Sequence, residues 1–214
     1  MPATLPTPLV LPLEFPAAAF RPQPKGLPPI GMGLNELPYP PPPAAVNAAA
    51  RAAAGANRYS DPVCLKLREA LAKAYDLAAG DLICGNGAEE LLDVVARTFV
   101  RPGDRILISQ FGYIQFAMIA NRIGAELVKA PEPDYAVDVD CLLGCVDDKT
   151  KLVFLATPNN PTAGELPVRE ADRLASALPD NVVLALDLAY AEFAGWDYCA
   201  AMHELVERHR NVLV

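Results

Sequence analysis

Paired cysteines, long apolar runs and positive charge are all scarce in this 214-residue chain, and each shortage narrows what it does. The five cysteines (Cys64, Cys84, Cys141, Cys145 and Cys199) stand singly, with no CxxC pair for zinc or dithiol exchange. Reduced, mostly buried thiols are the expectation, as in a cytoplasmic protein. Eighteen Lys and Arg against 26 Asp and Glu leave a net charge of -8 and a pI near 4.8, which argues against nucleic acid as a partner. No apolar run is long enough for a bilayer. Met1 to Phe20 has no basic start and is broken by Pro2, Pro6, Pro8, Pro12 and Pro16, so it holds no secretory-signal core and a soluble protein is expected. The only two histidines, His203 and His209, are spaced to lie on different faces of one predicted helix and make no metal site. A GxGxxG fingerprint is missing, which lowers the case for a nicotinamide cofactor, and no serine stands in a nucleophile elbow.

What is present is an ordinary globular composition, 52% hydrophobic and 21% charged, enough for one large core or two small ones. Fourteen of the 22 prolines fall in residues 1–43, ending in Tyr39-Pro40-Pro41-Pro42-Pro43. Such a segment favours an extended arm over a helix. Leu9, Leu11, Leu13, Phe15 and Phe20 would lie on a surface, and a disordered tail is the alternative. The chain therefore divides into the arm, 1–43, and a folded part, 44–214. The latter opens with an alanine-rich helix from Ala44 to Gly55 and a turn at Asn57-Arg58-Tyr59-Ser60. Asp61-Pro62 reads as an N-cap with proline in the first helical position. The helix that follows places Leu67, Ala70, Leu71 and Ala74 on one face, to pack on a core.

From Asp81 the chain alternates short apolar runs with amphipathic stretches. The strand-like runs are Leu82–Cys84, Arg105–Ile108, Ala125–Val128, Lys151–Leu155, Val182–Leu186 and Asn211–Val214. Helices are expected at Glu89–Phe99, Tyr113–Ile123, Val168–Leu178 and Cys199–His209. This pattern predicts an α/β fold, a three-layer sandwich around a mostly parallel sheet.

Three segments carry chemistry. Cys84-Gly85-Asn86-Gly87-Ala88-Glu89-Glu90 joins a strand to a helix through two glycines: either a tight structural turn or a cradle of backbone N–H groups for an anion. Glu89 and Glu90, adjacent on a helix, diverge and suit solvated or helix-dipole roles better than an acid pair. Asp187 ends an apolar run and so stands at the carboxyl edge of the sheet, where ligands collect. There it serves either as a helix cap or as the partner of a buried cation such as a protonated pyridine nitrogen. Asn160 follows another strand in a loop stiffened by Pro158 and Pro161, which also suits a plain turn.

Taken together and in order, Leu34-Asn35-Glu36, Asn57-Arg58-Tyr59, Gly85-Asn86-Gly87, Phe111-Gly112-Tyr113, Asn160-Pro161-Thr162 and Asp187-Leu188-Ala189-Tyr190-Ala191-Glu192-Phe193 resemble the fold-type-I (class I/II) pyridoxal-phosphate aminotransferases, closest to the histidinol-phosphate group. The resemblance implies that 44–214 is part of a pyridoxal 5'-phosphate-binding large domain. Gly87, Ala88 and Glu89 would hold the cofactor phosphate and Tyr113 would stack on the pyridine ring. Asn160 and Tyr190 would bond its phenolic oxygen and Asp187 its ring nitrogen. Tyr59 would reach the phosphate of a neighbouring subunit. This implies a cytoplasmic homodimer of amino-acid biosynthesis, its arm across the partner, acting on amino acid or amino-phosphate and 2-oxo acid substrates. A decarboxylase of the same fold, of the threonine-phosphate type, shares these motifs.

Two departures stand out. The family's Asn-Pro-Thr-Gly reads Asn160-Pro161-Thr162-Ala163 here, so a positive φ at Ala163 would strain the loop. The Ser-Lys segment that supplies the family's Schiff-base lysine is not found after Asn211–Val214, so the chain reads as C-terminally truncated and the large domain as incomplete. Lys25, Lys66, Lys73, Lys129, Lys149 and Lys151 are not placed to substitute. Without the amine, transamination by this chain alone is not expected, and a non-catalytic remnant or dimerisation subunit is the other reading.

Overall fold

A computed structural model describes Gly26 and residues 33–214; most of the proline-rich arm, including Leu9 to Phe20, lies outside the described residues. Five strands form the sheet: β1 (Arg105–Ser109), β2 (Glu126–Ala130), β3 (Thr150–Ala156), β4 (Val183–Asp187) and β5 (Val212–Leu213). Their order is β2-β1-β3-β4-β5, and every pairing is parallel. The helices are α1 (Pro43–Ala53), α2 (Leu65–Tyr75), α3 (Ala88–Phe99), α4 (Ile114–Ile123), α5 (Val139–Gly144), α6 (Val168–Ala177), α7 (Ala191–Ala194) and α8 (Trp196–Arg208).

Alternation along the strands builds the three layers. Ile106, Ile108, Leu152, Phe154, Ala156 and Ala185 face one side, packed with Leu92 and Ala96 of α3 and Phe116, Ile119 and Ala120 of α4. Their neighbours Leu107, Val153, Leu155, Leu184 and Leu186 face the other, against Leu142 of α5, Leu174 of α6 and Met202 and Leu205 of α8. Successive side chains leave opposite faces of a strand, so a strand buried on both reads as a continuous apolar run, as β1, β3 and β4 do. Each fully buried Leu or Phe stabilises the fold by about 1.5–3 kcal/mol. Phe116 and Phe154 stack at 4.9 Å.

Chain direction then places the site. From β1 the chain steps outward through α4 to β2, then returns past β1 to β3 and continues to β4 and β5. Right-handed crossovers in opposite directions put α4 on one face and α5, α6 and α8 on the other. The loops beyond β1 and β3 therefore diverge at the carboxyl edge, where an α/β sheet opens a crevice.

Several expectations are corrected. Leu82–Cys84 is extended but pairs with no strand, leaving Ile83 78% exposed. Pro43, not Ala44, opens α1, because its fixed φ suits a first helical position. Asp61 accepts the N–H groups of Val63 and Leu65, but α2 starts only at Leu65, after Cys64 in a left-handed conformation, so Pro62 is not helical. The face of α2 expected on a core buries no residue, and Leu67 is 51% exposed. The last helix begins at Trp196, not Cys199. All five cysteines are free, Cys199 buried and the others half-buried. Among the described residues no helix is long and apolar enough to cross a membrane, and no three metal-ligating side chains cluster.

Candidate functional site

A cleft of about 210 Å³ opens at the carboxyl edge, lined by Asn86, Gly87, Ala88, Glu89, Tyr113, Ala156, Asn160, Asp187, Ala189 and Tyr190. Seven of the eight residues singled out by sequence meet here: Gly87, Ala88, Glu89, Tyr113, Asn160, Asp187 and Tyr190. Tyr59 is fully exposed and lines neither this cleft nor the wider one beside it.

Asp187 is the last residue of β4, paired with Ala156 of β3, and Thr157 N–H donates to its backbone carbonyl at 3.0 Å. Its half-buried carboxylate accepts one hydrogen bond, from Ala189 N–H at 3.0 Å. Burial pushes its carboxyl above the usual aspartate range, partly offset by that bond. A carboxylate shielded from water with one neutral donor suits a cationic partner.

On the opposite wall, α3 begins at Ala88 with no side chain capping its first turn. Gly87 holds φ +83°, a left-handed backbone that a side chain would strain, and a Cβ there would meet open space. First-turn N–H groups thus face the cleft at the positive end of the helix dipole. The Glu89 carboxylate has a different task from holding an anion: it accepts the Tyr113 hydroxyl at 2.7 Å and the Gln115 amide at 3.1 Å. Burial first, and then Glu89, raise the Tyr113 phenol pKa, so it stays protonated.

Tyr113 caps α4, and its ring meets Phe116 edge-on at 5.7 Å. The preceding Gly112 turns back so closely that a Cβ would stand 3.2 Å from the Ser109 carbonyl oxygen. Asn160 sits in a loop where Asn159 N–H donates to Gly164 O and Ala163 N–H to Asn159 O, both at 2.8 Å. Ala163 takes φ +58°, the strained geometry its departure from glycine foretold. The peptides before Pro158 and Pro161 are cis. Below the loop, Tyr198 donates to Leu166 O at 3.0 Å and shares a 2.6 Å bond with the Thr157 hydroxyl, which accepts Leu166 N–H at 2.9 Å. Burial pushes the Tyr198 phenol up to about 12.

The wider cleft, about 1160 Å³, runs out past Tyr113, Gln115, Asn159, Glu165 and Tyr190 under residues 33–38. Asn35 Nδ2 donates to the Tyr190 hydroxyl at 3.0 Å. Among the described residues no lysine or arginine lines either cleft, whereas Glu36, Glu89, Glu165 and Asp187 do. Lys129 lies in β2 and Lys151 at the start of β3. Of the histidines, His209 Nε2 bonds Asp172 at 2.7 Å, and His203 packs edge-on against Tyr75 at 5.2 Å.

Sequence reasoning missed Asn159, Thr157 and Tyr198, and also Glu132, whose buried carboxyl accepts the Phe111 N–H at 2.9 Å two residues before Tyr113. The visible signals were the asparagine doublet Asn159-Asn160 and an acidic residue between two prolines, Pro131-Glu132-Pro133. Nothing local marked Thr157 or Tyr198.

The sequence profile of class I and II aminotransferases matches residues 28–214. The chain is 45% identical over 156 residues to the histidinol-phosphate aminotransferase of Erythrobacter litoralis, covering 73% of this chain and 42% of that protein. It is 44% identical over 157 residues to that of Maricaulis maris, covering 73% and 43%. Among solved structures, the histidinol-phosphate aminotransferase from Sinorhizobium meliloti, in complex with pyridoxal-5'-phosphate, superposes with a TM-score of 0.72 at 33% identity, covering 75% of this chain and 44% of that one. The chain spans about half the length of the curated relatives it matches.

Proposed function

This chain belongs to the family of class I and II aminotransferases, pyridoxal-phosphate enzymes, and we propose on that footing that its smaller cleft is the pyridoxal 5'-phosphate site of a histidinol-phosphate-type aminotransferase. One observation carries the proposal: the Asp187 carboxylate is half-buried and holds a single backbone hydrogen bond, in a cleft it shares with an uncapped helix start and an aromatic ring. The residues fit the group. Gly87 and Ala88 offer backbone N–H groups to a phosphate, Tyr113 a ring face, and Asp187 a negative charge for a protonated ring nitrogen.

Bound pyridoxal phosphate supplies an electron sink for the substrate's α-carbon. The chain's own groups orient and tune it. Asp187 keeps a proton on the ring nitrogen, and Asn160 and Tyr190 donate to the phenolic oxygen. Glu89 fixes the Tyr113 hydroxyl and leaves phosphate contact to the backbone of its own turn. The wider cleft admits the amino acid or amino-phosphate and the 2-oxo acid. Tyr59, exposed and outside the lining of either cleft, serves a second copy of the chain in a homodimer. Among the described residues no lysine lines either cleft, so none of them is assigned the Schiff-base amine.

Equilibrium dialysis of the chain against pyridoxal phosphate tests this. Saturable binding at one site per chain, competed by inorganic phosphate, is expected. No binding, or binding indifferent to Gly87→Ala, would sink the proposal.

A further inference from the structure

Among the described residues, Glu132 is the one ionisable side chain to combine near-complete burial, 4% exposure, with an oxygen that bonds nothing. It stands two residues past the end of β2. Its Oε2 accepts the Phe111 N–H at 2.9 Å, whereas Oε1 is sealed off without a partner. The other side of the same residue is held too: the Phe111 carbonyl accepts the Asn159 amide at 3.0 Å. Asn159 is 3% exposed and also donates to the Thr162 hydroxyl at 2.9 Å, and its own Oδ1 is likewise buried and unpartnered. The Phe111 ring lies against Tyr135 at 5.0 Å.

A buried carboxylate with one hydrogen bond is costly, and each such group in a native fold calls for a reason. The reason here is what Phe111 carries. It lies outside the sheet ladder, between β1 and α4, and two residues later comes Tyr113, whose ring forms a wall of both clefts. Side chains from beyond the two strands that flank β1 therefore grip the N–H and the carbonyl of one residue. A shift of about 1 Å at such a support is enough to spoil the geometry of a site.

We propose that Glu132 and Asn159 are positioning residues, a two-sided clamp on Phe111 that sets where the Tyr113 ring stands over the cofactor. This rests on the assignment of the smaller cleft to pyridoxal phosphate, but the clamp itself is measurable without ligand. In the purified chain, amide exchange followed by NMR should find the Phe111 N–H protected. Glu132→Leu should speed its exchange about tenfold or more, while Leu107 and Leu152 at the sheet centre keep their rates. The same variant should weaken pyridoxal phosphate binding about tenfold, and Glu132→Gln, which keeps an acceptor for Phe111, should restore protection and most of the affinity. If Glu132→Leu does not fold, Glu132→Asp, one methylene too short to span the gap, carries the test. Unchanged Phe111 exchange in a folded variant, or loosening spread equally over the sheet, would overturn the clamp. Failure of the unaltered chain to bind pyridoxal phosphate would instead remove the cofactor assignment and leave the exchange result to judge the clamp.

Discussion

Replacing Asp187 with asparagine should move stability and cofactor affinity in opposite directions. Asparagine keeps an oxygen for the Ala189 N–H at 3.0 Å and replaces the charged second oxygen with a neutral NH2. Burial raises the carboxyl's pKa above 3.8 in the fold, so the native state holds the proton more tightly than the unfolded chain. By linkage, the contribution of Asp187 to stability is fully present below that unfolded value and is lost as pH rises through the raised native one. At neutral pH the ionised group is then a net cost, and Asp187→Asn should stabilise the ligand-free chain by about 0.5–2 kcal/mol. For a chain of this size each kcal/mol raises Tm by about 2–4 °C. If Asp187 pairs with the ring nitrogen as proposed, pyridoxal phosphate reverses the sign: the lost charge-assisted bond is worth about 1.5–3 kcal/mol, or roughly 10- to 100-fold in Kd. Thermal melts at pH 7 with and without pyridoxal phosphate, alongside dialysis, read both effects. A variant that melts lower without ligand, or binds pyridoxal phosphate as tightly as the parent, would refute the reasoning.

Ala163→Gly should raise stability by about 0.5–1 kcal/mol in urea titration, since relief of the left-handed backbone at φ +58° outweighs the extra freedom of glycine in the unfolded chain. Tyr198→Phe leaves the Leu166 carbonyl and the Thr157 hydroxyl short of a partner and should cost about 1–3 kcal/mol in the same titration. Burial lowers the His203 imidazole pKa below 6.5, with Glu192 partly opposing it, so stability should fall as pH drops through 6.5 toward the native value. Chemical denaturation of His203→Phe between about pH 5 and 8 should show a flatter dependence.

The parts of the fold legible in the sequence were those that a local pattern settles. β1, β3 and β4 were readable because burial on both faces leaves an unbroken apolar run, and Asp187 because it ends one. Helix α5 was missed: six residues are too few for a period, and its one sign was Asp138, whose carboxylate caps Cys141 N–H at 2.9 Å. Leu82–Cys84 is a short apolar run as a buried strand is, but a strand also needs a neighbour, and a local pattern cannot name one. The same limit hid Glu132. Its partner lies 21 residues earlier, and only the parallel register of β2 on β1 brings the two together.

The walls of the two clefts have a kinetic consequence. Among the described residues glutamates and one aspartate line them, lysine and arginine do not, and the whole chain carries a charge of -8. On the proposed assignment, a doubly charged phosphate ester would approach uphill in the protein's field, held back until it reached the short-range N–H groups at the start of α3. Added salt shortens the reach of that repulsion to about 8–10 Å at 0.1–0.15 M. Capture of the phosphate should accordingly quicken as salt rises, the reverse of an electrostatically steered encounter.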